Sequence, residues 1–192
     1  LTSEEAAYLA GLIDGEGSIA VRRFARKENC SGCRFLPGLT VTNTYLPVLL
    51  DLKDLFDGTI SKHDSGKYAL ARGFKSTKMC YNWFIHHQKA AHILEKILPY
   101  LMIKRSQAEN ALTFARQNIS RENYQTQERL DILFGFYLKS RELNGAKLTE
   151  DEKGRLRPIL RPYKVRPRPN CSEKDCGKPH YGHGLCRHHY RQ

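Results

Sequence analysis

No stretch of this chain approaches the roughly 18 apolar residues that a membrane-spanning helix needs, and no secretory signal is visible. A membrane partner is therefore not expected. Acid is scarce as well: 20 Asp and Glu stand against 32 Lys and Arg, a formal net charge of +12. No amphipathic basic helix carries the excess, so it points to a nucleic-acid polyanion rather than a lipid surface. Cysteine is sparse and unevenly placed. Three of the six cysteines crowd into residues 171–192 beside four histidines, which argues for metal binding in a reducing, intracellular compartment and against a disulfide framework. Internal repeats are missing too.

At 192 residues, 40% apolar and 27% charged, the chain has the make-up of a globular protein with one domain and an appendage. One stretch organises it: Leu9-Ala10-Gly11-Leu12-Ile13-Asp14-Gly15-Glu16-Gly17-Ser18. Thr2 and Glu5 have capping-box spacing, and the apolar run after them contains no Pro, so a helix is expected. Leu9, Leu12 and Ile13 share one face and are expected in a core. Ala7, Ala10, Gly11 and Asp14 share another, where small side chains would admit a second backbone. Gly15 and Gly17 are expected to close the helix in a left-handed turn.

The charge at this helix end is unusual. Asp14 and Glu16 sit where the macrodipole is already negative, which opposes each acid by roughly 0.3–1 kcal/mol at an exposed site. If the small-residue face pairs with a copy of itself, four carboxylates meet around one axis. A hard divalent cation, held by carboxylate oxygen and by the Gly15 carbonyl, would relieve that cluster.

The same residues resemble the LAGLIDADG motif of homing endonucleases, with Gly15 for the family's Ala and Glu16 for its last Asp. The order of elements resembles that family to about residue 145. Strands are expected at 18–24, 35–44, 59–63 and 79–86, and helices at about 47–56, 89–98, 105–117 and 125–143. Pro37-Gly38 is expected to bulge or bend the second strand. Cys30-Ser31-Gly32-Cys33 reads as a tight turn with two free thiols, and residues 64–78 as a basic loop. The resemblance implies an α+β fold: an αββαββα core whose four-stranded antiparallel sheet forms a saddle over DNA, with trailing helices; a small C-terminal zinc module, read from its own Cys and His spacing, completes the expected architecture.

Site residues follow from both sources. The resemblance implies that Glu16 is the metal-binding catalytic residue. It also places Lys104, in Pro99-x-Leu101-x-x-Lys104-x-x-Gln107-Ala108, near the scissile phosphate and the attacking water, and gives Asn43 a part in positioning water. Hydrolysing a phosphodiester needs an activated water and charge neutralisation, which Mg²⁺ or Mn²⁺ would supply. On the outward strand faces, Arg22 and Arg26 are candidates for reading base edges and Arg34 for touching a phosphate, with Thr40, Ser61, His63 and Arg72 as further DNA-binding candidates. Because only one motif copy is present, both strands of a duplex can be cut only by a homodimer, joined through Ala7, Ala10, Gly11 and Asp14. A two-fold protein expects a roughly palindromic target.

The organisation expected is an endonuclease domain over 1–150, a basic Pro/Arg linker over 151–170 and a zinc module over 171–192. Pro158, Pro162, Pro167 and Pro169 favour an extended linker path. In Cys171-x4-Cys176-x9-Cys186-x2-His189, three thiolates and one imidazole make a tetrahedral zinc set, with His180, His183 and His188 open as alternatives for the fourth ligand. Gly184-Leu185-Cys186-Arg187-His188-His189-Tyr190 resembles the end of small zinc modules in phage and mobile-element proteins. The function expected is site-specific double-strand DNA cleavage by a homodimer. The competing reading is a non-cleaving nucleic-acid binder, such as an intron maturase or DNA-binding regulator.

Overall fold

Thr2 opens the first helix, α1 (Ser3–Glu16), with a full capping box: its side chain accepts from Glu5 N–H at 3.2 Å while Glu5 Oε2 accepts from Thr2 N–H at 2.8 Å. The computed structural model describes residues 1–25, 32–63, 79–117, 126–160 and 170–173, with Cys176, Lys178, Cys186, His188 and His189. These fall into two compact units, Leu1–Arg161 and Pro162–Gln192.

In the first unit α1 runs directly into β1 (Gly17–Ala25), followed by β2 (Cys33–Asn43), α2 (Leu46–Phe56), β3 (Thr59–His63) and β4 (Cys80–His86). Then come α3 (His87–Ile97), a 3₁₀ turn (Leu98–Tyr100), α4 (Arg105–Arg116), α5 (Gln127–Leu143) and α6 (Glu150–Leu156). The strands form one antiparallel sheet in the order β1-β2-β4-β3. Its inner face buries Ile19, Phe35, Leu39 and Trp83 against Leu9, Ile13, Leu94 and Phe114 from the helices. Each such side chain contributes about 1.5–3 kcal/mol when fully buried. The α+β αββαββα core is as expected.

The structure departs from expectation at several points. The α1 C-terminus makes no left-handed turn: Gly17 has φ −96 and ψ 176, extended backbone, and passes straight into β1. Glycine is needed there for room, since a Cβ would lie 2.7 Å from Ile13 Cα. Nor does β2 bulge, because the β1–β2 register is unbroken from Gly17↔Val41 to Ala25↔Cys33. Val21, opposite Pro37, donates its N–H to Ser140 Oγ at 2.9 Å, away from β2. Pro37's missing N–H therefore faces the β4 side, where the ladder has already ended at Gly38↔His86.

The start of the expected linker is helical instead. Thr149 and Glu152 form a second capping box at α6. Beyond it, Arg157 forms a bidentate pair with Asp131 at 2.9 and 2.5 Å, and the Gln127 amide bonds both Pro158 O and Leu160 N–H. Residues 157–160 are thus strapped to α5. Arg26, Cys30, Arg72, the remaining basic loop, His180 and His183 lie outside the described residues, as does the His63 side chain.

Candidate metal and nucleic-acid site

At the C-terminal end of α1 the last turn carries no basic residue of its own. The missing positive charge arrives from elsewhere in the chain. Lys104 Nζ donates to Ile13 O at 2.7 Å and Asp14 O at 2.6 Å, so an ammonium sits on the negative end of the helix. Asp14 reciprocates. Its carboxylate accepts the N–H groups of Met102, Ile103 and Lys104 at 2.8, 3.2 and 2.9 Å, which clamps the segment leading into α4 against α1. Burial alone would raise the Asp14 carboxyl. The three amide bonds and the Lys104 charge outweigh it and hold the group below its ordinary value of 3.8.

Glu16 is exposed two residues further on and makes no hydrogen bond or ion pair among the described residues. With the Ile13 and Asp14 carbonyls taken by Lys104, the Gly15 carbonyl is the next oxygen at this helix end. An unpartnered carboxylate beside a carbonyl is a hard-oxygen donor set that fits a divalent cation. Asn43 ends β2, and its Oδ1 accepts Tyr45 N–H at 2.8 Å ahead of α2. Its amide nitrogen and the second lone pair of Oδ1 remain for a water.

On the candidate dimer face, Ala7 and Gly11 are exposed, but Ala10 is fully buried in the chain's own core beside Leu9 and Ile13. Ala10 therefore offers nothing to a partner. Asp14 is half-buried and occupied by the clamp.

The outer face of the sheet carries Ser18, Ala20, Arg22 and Phe24 on β1, Arg34, Leu36, Gly38, Thr40 and Thr42 on β2, Asn82, Phe84 and His86 on β4, and Thr59 and Ser61 on β3. Among these residues there is no acid, which suits a polyanion. Arg22 and Thr40, both expected to contact DNA, bond each other: Arg22 Nη2 donates to Thr40 Oγ1 at 2.6 Å, and burial pushes the guanidinium below its ordinary value. Arg34 Nη2 lies 3.5 Å from His87 Nδ1, and Ser61 is exposed. His86, for which the sequence leaves acid–base work, DNA contact and plain surface open, stands by β-strand alternation on the same face as Phe84.

In the second unit Cys171, Cys176, Cys186 and His189 bring their ligand atoms within 4.8 Å of one another. Cys176 and Cys186 Sγ are 3.7 Å apart, and His189 Nδ1 is 3.3 and 3.7 Å from the sulfurs of Cys171 and Cys186. Zn–S bonds of about 2.3 Å at tetrahedral angles put two sulfurs roughly 3.8 Å apart, whereas a disulfide needs about 2.0 Å. The cluster fits a tetrahedral ion. Cys186 N–H donates to Cys171 Sγ at 3.1 Å, and such amide bonds outweigh burial and hold that thiol below its ordinary value. Among the described residues His189 is the imidazole in the cluster and His188 is not part of it, while His180 and His183 lie outside the described residues.

An acid-free sheet face thus lies beside a helix end that gathers an open carboxylate and a seated ammonium. The family described as LAGLIDADG endonuclease matches residues 9–105, half of the chain, and the chain belongs to that family. Its fold is similar to the homing endonuclease I-CvuI in complex with its target in the presence of 2 mM Ca, at 23% identity and TM-score 0.62, covering 82% of this chain and 88% of that one. A second similar structure is the archaeal intron-encoded homing endonuclease I-Vdi141I complexed with DNA, at 16% identity and TM-score 0.62, covering 79% and 91%. Against I-SmaMI, bound to uncleaved DNA in the presence of calcium ions, identity is 20% and TM-score 0.54, and the match covers 82% of this chain but 50% of that one. No curated protein matches the chain at a significant level.

Proposed function

We propose that two copies of this chain form a site-specific, divalent-metal-dependent DNA endonuclease that cuts both strands of a roughly palindromic target. The observation that carries this reading is the pairing at one helix end of exposed, unpartnered Glu16 with the Lys104 ammonium, whose position is fixed by the carbonyls of Ile13 and Asp14. A binder without chemistry needs neither. Glu16 and the Gly15 carbonyl would hold Mg²⁺ or Mn²⁺, which when bound neutralises phosphate charge and makes water more acidic. Lys104 has three N–H donors, and the two carbonyls take two. The third is free to donate to a phosphate oxygen as negative charge develops. The Asp14 clamp keeps that ammonium from drifting.

Dimerisation is supported by glycines that the chain itself does not need. A Cβ at Gly11 or Gly15 would meet nothing within 4 Å, yet glycine inside a helix costs about 0.5–1 kcal/mol relative to alanine. Close approach of a second helix supplies the reason. Near the same helix end, Met102 and Ile103 stand 89% and 72% exposed, and Tyr8 on α1 is 56% exposed; this is apolar surface that a second copy would cover. The match to only half of I-SmaMI accords with one chain supplying half of an active assembly. The three-thiolate, one-imidazole cluster of the second unit takes zinc, and the sequence just ahead of it carries Arg161, Lys164, Arg166 and Arg168.

Selection of cleaved sites from a randomised duplex library with Mg²⁺, using the intact chain and Glu16→Gln, tests the reading. The intact chain is expected to yield one long, near-palindromic site and Glu16→Gln none, while Glu16→Gln still binds that site in Ca²⁺. Sites that are bound but never cut by the intact chain would establish the non-cleaving alternative.

A further inference from the structure

His86 ends β4 on the sheet's outer face, opposite Gly38, and three neighbours bear on its ring. Phe24 meets it edge-on with centroids 5.2 Å apart, and Phe84 lies 5.3 Å away on the other side. Beneath it Gly38 leaves the space: a Cβ there would lie 2.5 Å from His86 Nδ1. That nitrogen is buried and has no hydrogen-bond partner. A buried N–H without an acceptor costs more than an idle lone pair, so the neutral tautomer carries its proton on Nε2 and leaves Nδ1 as the silent acceptor. The second proton is opposed by burial and then by the neighbouring Arg22 and His87, which push the imidazole below its ordinary value. The result is one N–H donor at a fixed position on an acid-free face, with no protein acceptor of its own among the described residues.

We infer that His86 is a specificity-determining residue that donates Nε2–H to the N7 acceptor of a purine in the major groove, reading one position of each half-site as purine rather than pyrimidine. The inference rests on the endonuclease reading. Guanine and adenine both present N7 in the major groove, and a single donor cannot make the bidentate contact that would separate them. Arg22 commits one donor to Thr40, and the Phe24 and Phe84 rings keep the imidazole from turning away.

The test uses the full chain and the duplex it selects, with 7-deazaguanine or 7-deazaadenine placed one position at a time. Binding is measured in Ca²⁺ and cleavage in Mg²⁺. The intact chain is expected to lose about five- to tenfold in affinity at one purine per half-site, the size of a single lost base contact. His86→Ala is expected to bind the unmodified duplex weaker by the same factor and to be indifferent to the modification at that purine alone. His86→Gln keeps a donor and covers the case in which the alanine variant melts early. The inference is overturned if every deaza position affects intact and variant chains alike, or if no purine is sensitive. A chain that selects no duplex at all would sink the endonuclease reading itself, a separate result.

Discussion

Asp14 occupies a position where its charge is unwelcome to its own helix and useful to another. It accepts three amide N–H groups from residues 102–104. Removing it in Asp14→Ala strands those donors and lets Lys104 loosen, at a cost of about 1.5–3 kcal/mol, as for other hydrogen bonds to a charged group. The pH dependence has a definite sign. The folded-state pKa is lowered, so the unfolded state binds the proton first. The stabilisation is present above the ordinary value of 3.8 and is lost as pH falls through the folded value. Thermal melts of the intact chain and Asp14→Asn should therefore differ most near neutrality and converge in acid. Curves that stay parallel down to unfolding would count against the clamp. Glu16 is the converse case. Replacing it with Gln removes an acid from the negative end of a helix, so stability should hold or rise by about 0.3–1 kcal/mol while cleavage is lost. The motif made both carboxylates legible in the sequence, but only folding separates the one that is saturated from the one that is open.

At the scale of elements, β1 is an edge strand, and its free edge is covered by side chains from α5. Ser140 Oγ accepts Val21 N–H at 2.9 Å, and Asn144 Nδ2 donates to Ile19 O at 3.0 Å. Ser140 is itself buried, so Ser140→Ala leaves a buried amide without an acceptor. The expected loss is about 1–3 kcal/mol, read as a fall in Tm of roughly 2–4 °C per kcal/mol. Nothing in the local sequence marks Ser140 or Asn144 for this work, because the pairing depends on how α5 lands on a strand more than a hundred residues away. Strand positions were legible because alternation such as Ile19 and Val21 against Ala20 and Arg22 survives without tertiary help. Helix α6 was legible in principle from the Thr149-x-x-Glu152 spacing, but the prolines and arginines beyond it dominate the reading of that stretch. On α1, Gly11→Leu separates two demands on one helix. The chain has room for the side chain and gains helix propensity, so the monomer should melt higher by about 0.5–1 kcal/mol. A partner helix has no such room. Sedimentation should find Gly11→Leu monomeric, with double-strand cleavage lost; a dimeric, active variant would place the two-fold contact elsewhere.

Across the whole chain, positive charge and the metal cluster divide the labour differently from the catalytic end. The motif that betrays the first unit says nothing about the second, which was legible only because Cys and His are too costly to cluster without a ligand. The metal there should act on folding. A module of this size has little core, so the ion supplies most of its folding free energy. Adding a zinc chelator to the intact chain should release one zinc per chain and remove the protease protection of residues 171–192, while the main thermal transition of Leu1–Arg161 is unmoved. If both units melt together on chelation, the metal is integral to the first unit and the division at Arg161 has no energetic meaning. The tail's cations yield a separate number. Lys164, Arg166 and Arg168 precede the cluster with no acid between them. If these three each meet a phosphate and Lys174, Lys178, Arg187 and Arg191 meet none, removing residues 162–192 should reduce the slope of log K against log salt by about 2.7 per chain, with the selected sequence unchanged. A truncated chain whose affinity falls equally at every salt concentration would instead mean that the tail acts through contacts other than charge. An unchanged affinity would leave the zinc module with no role in holding this DNA, whatever role it has elsewhere.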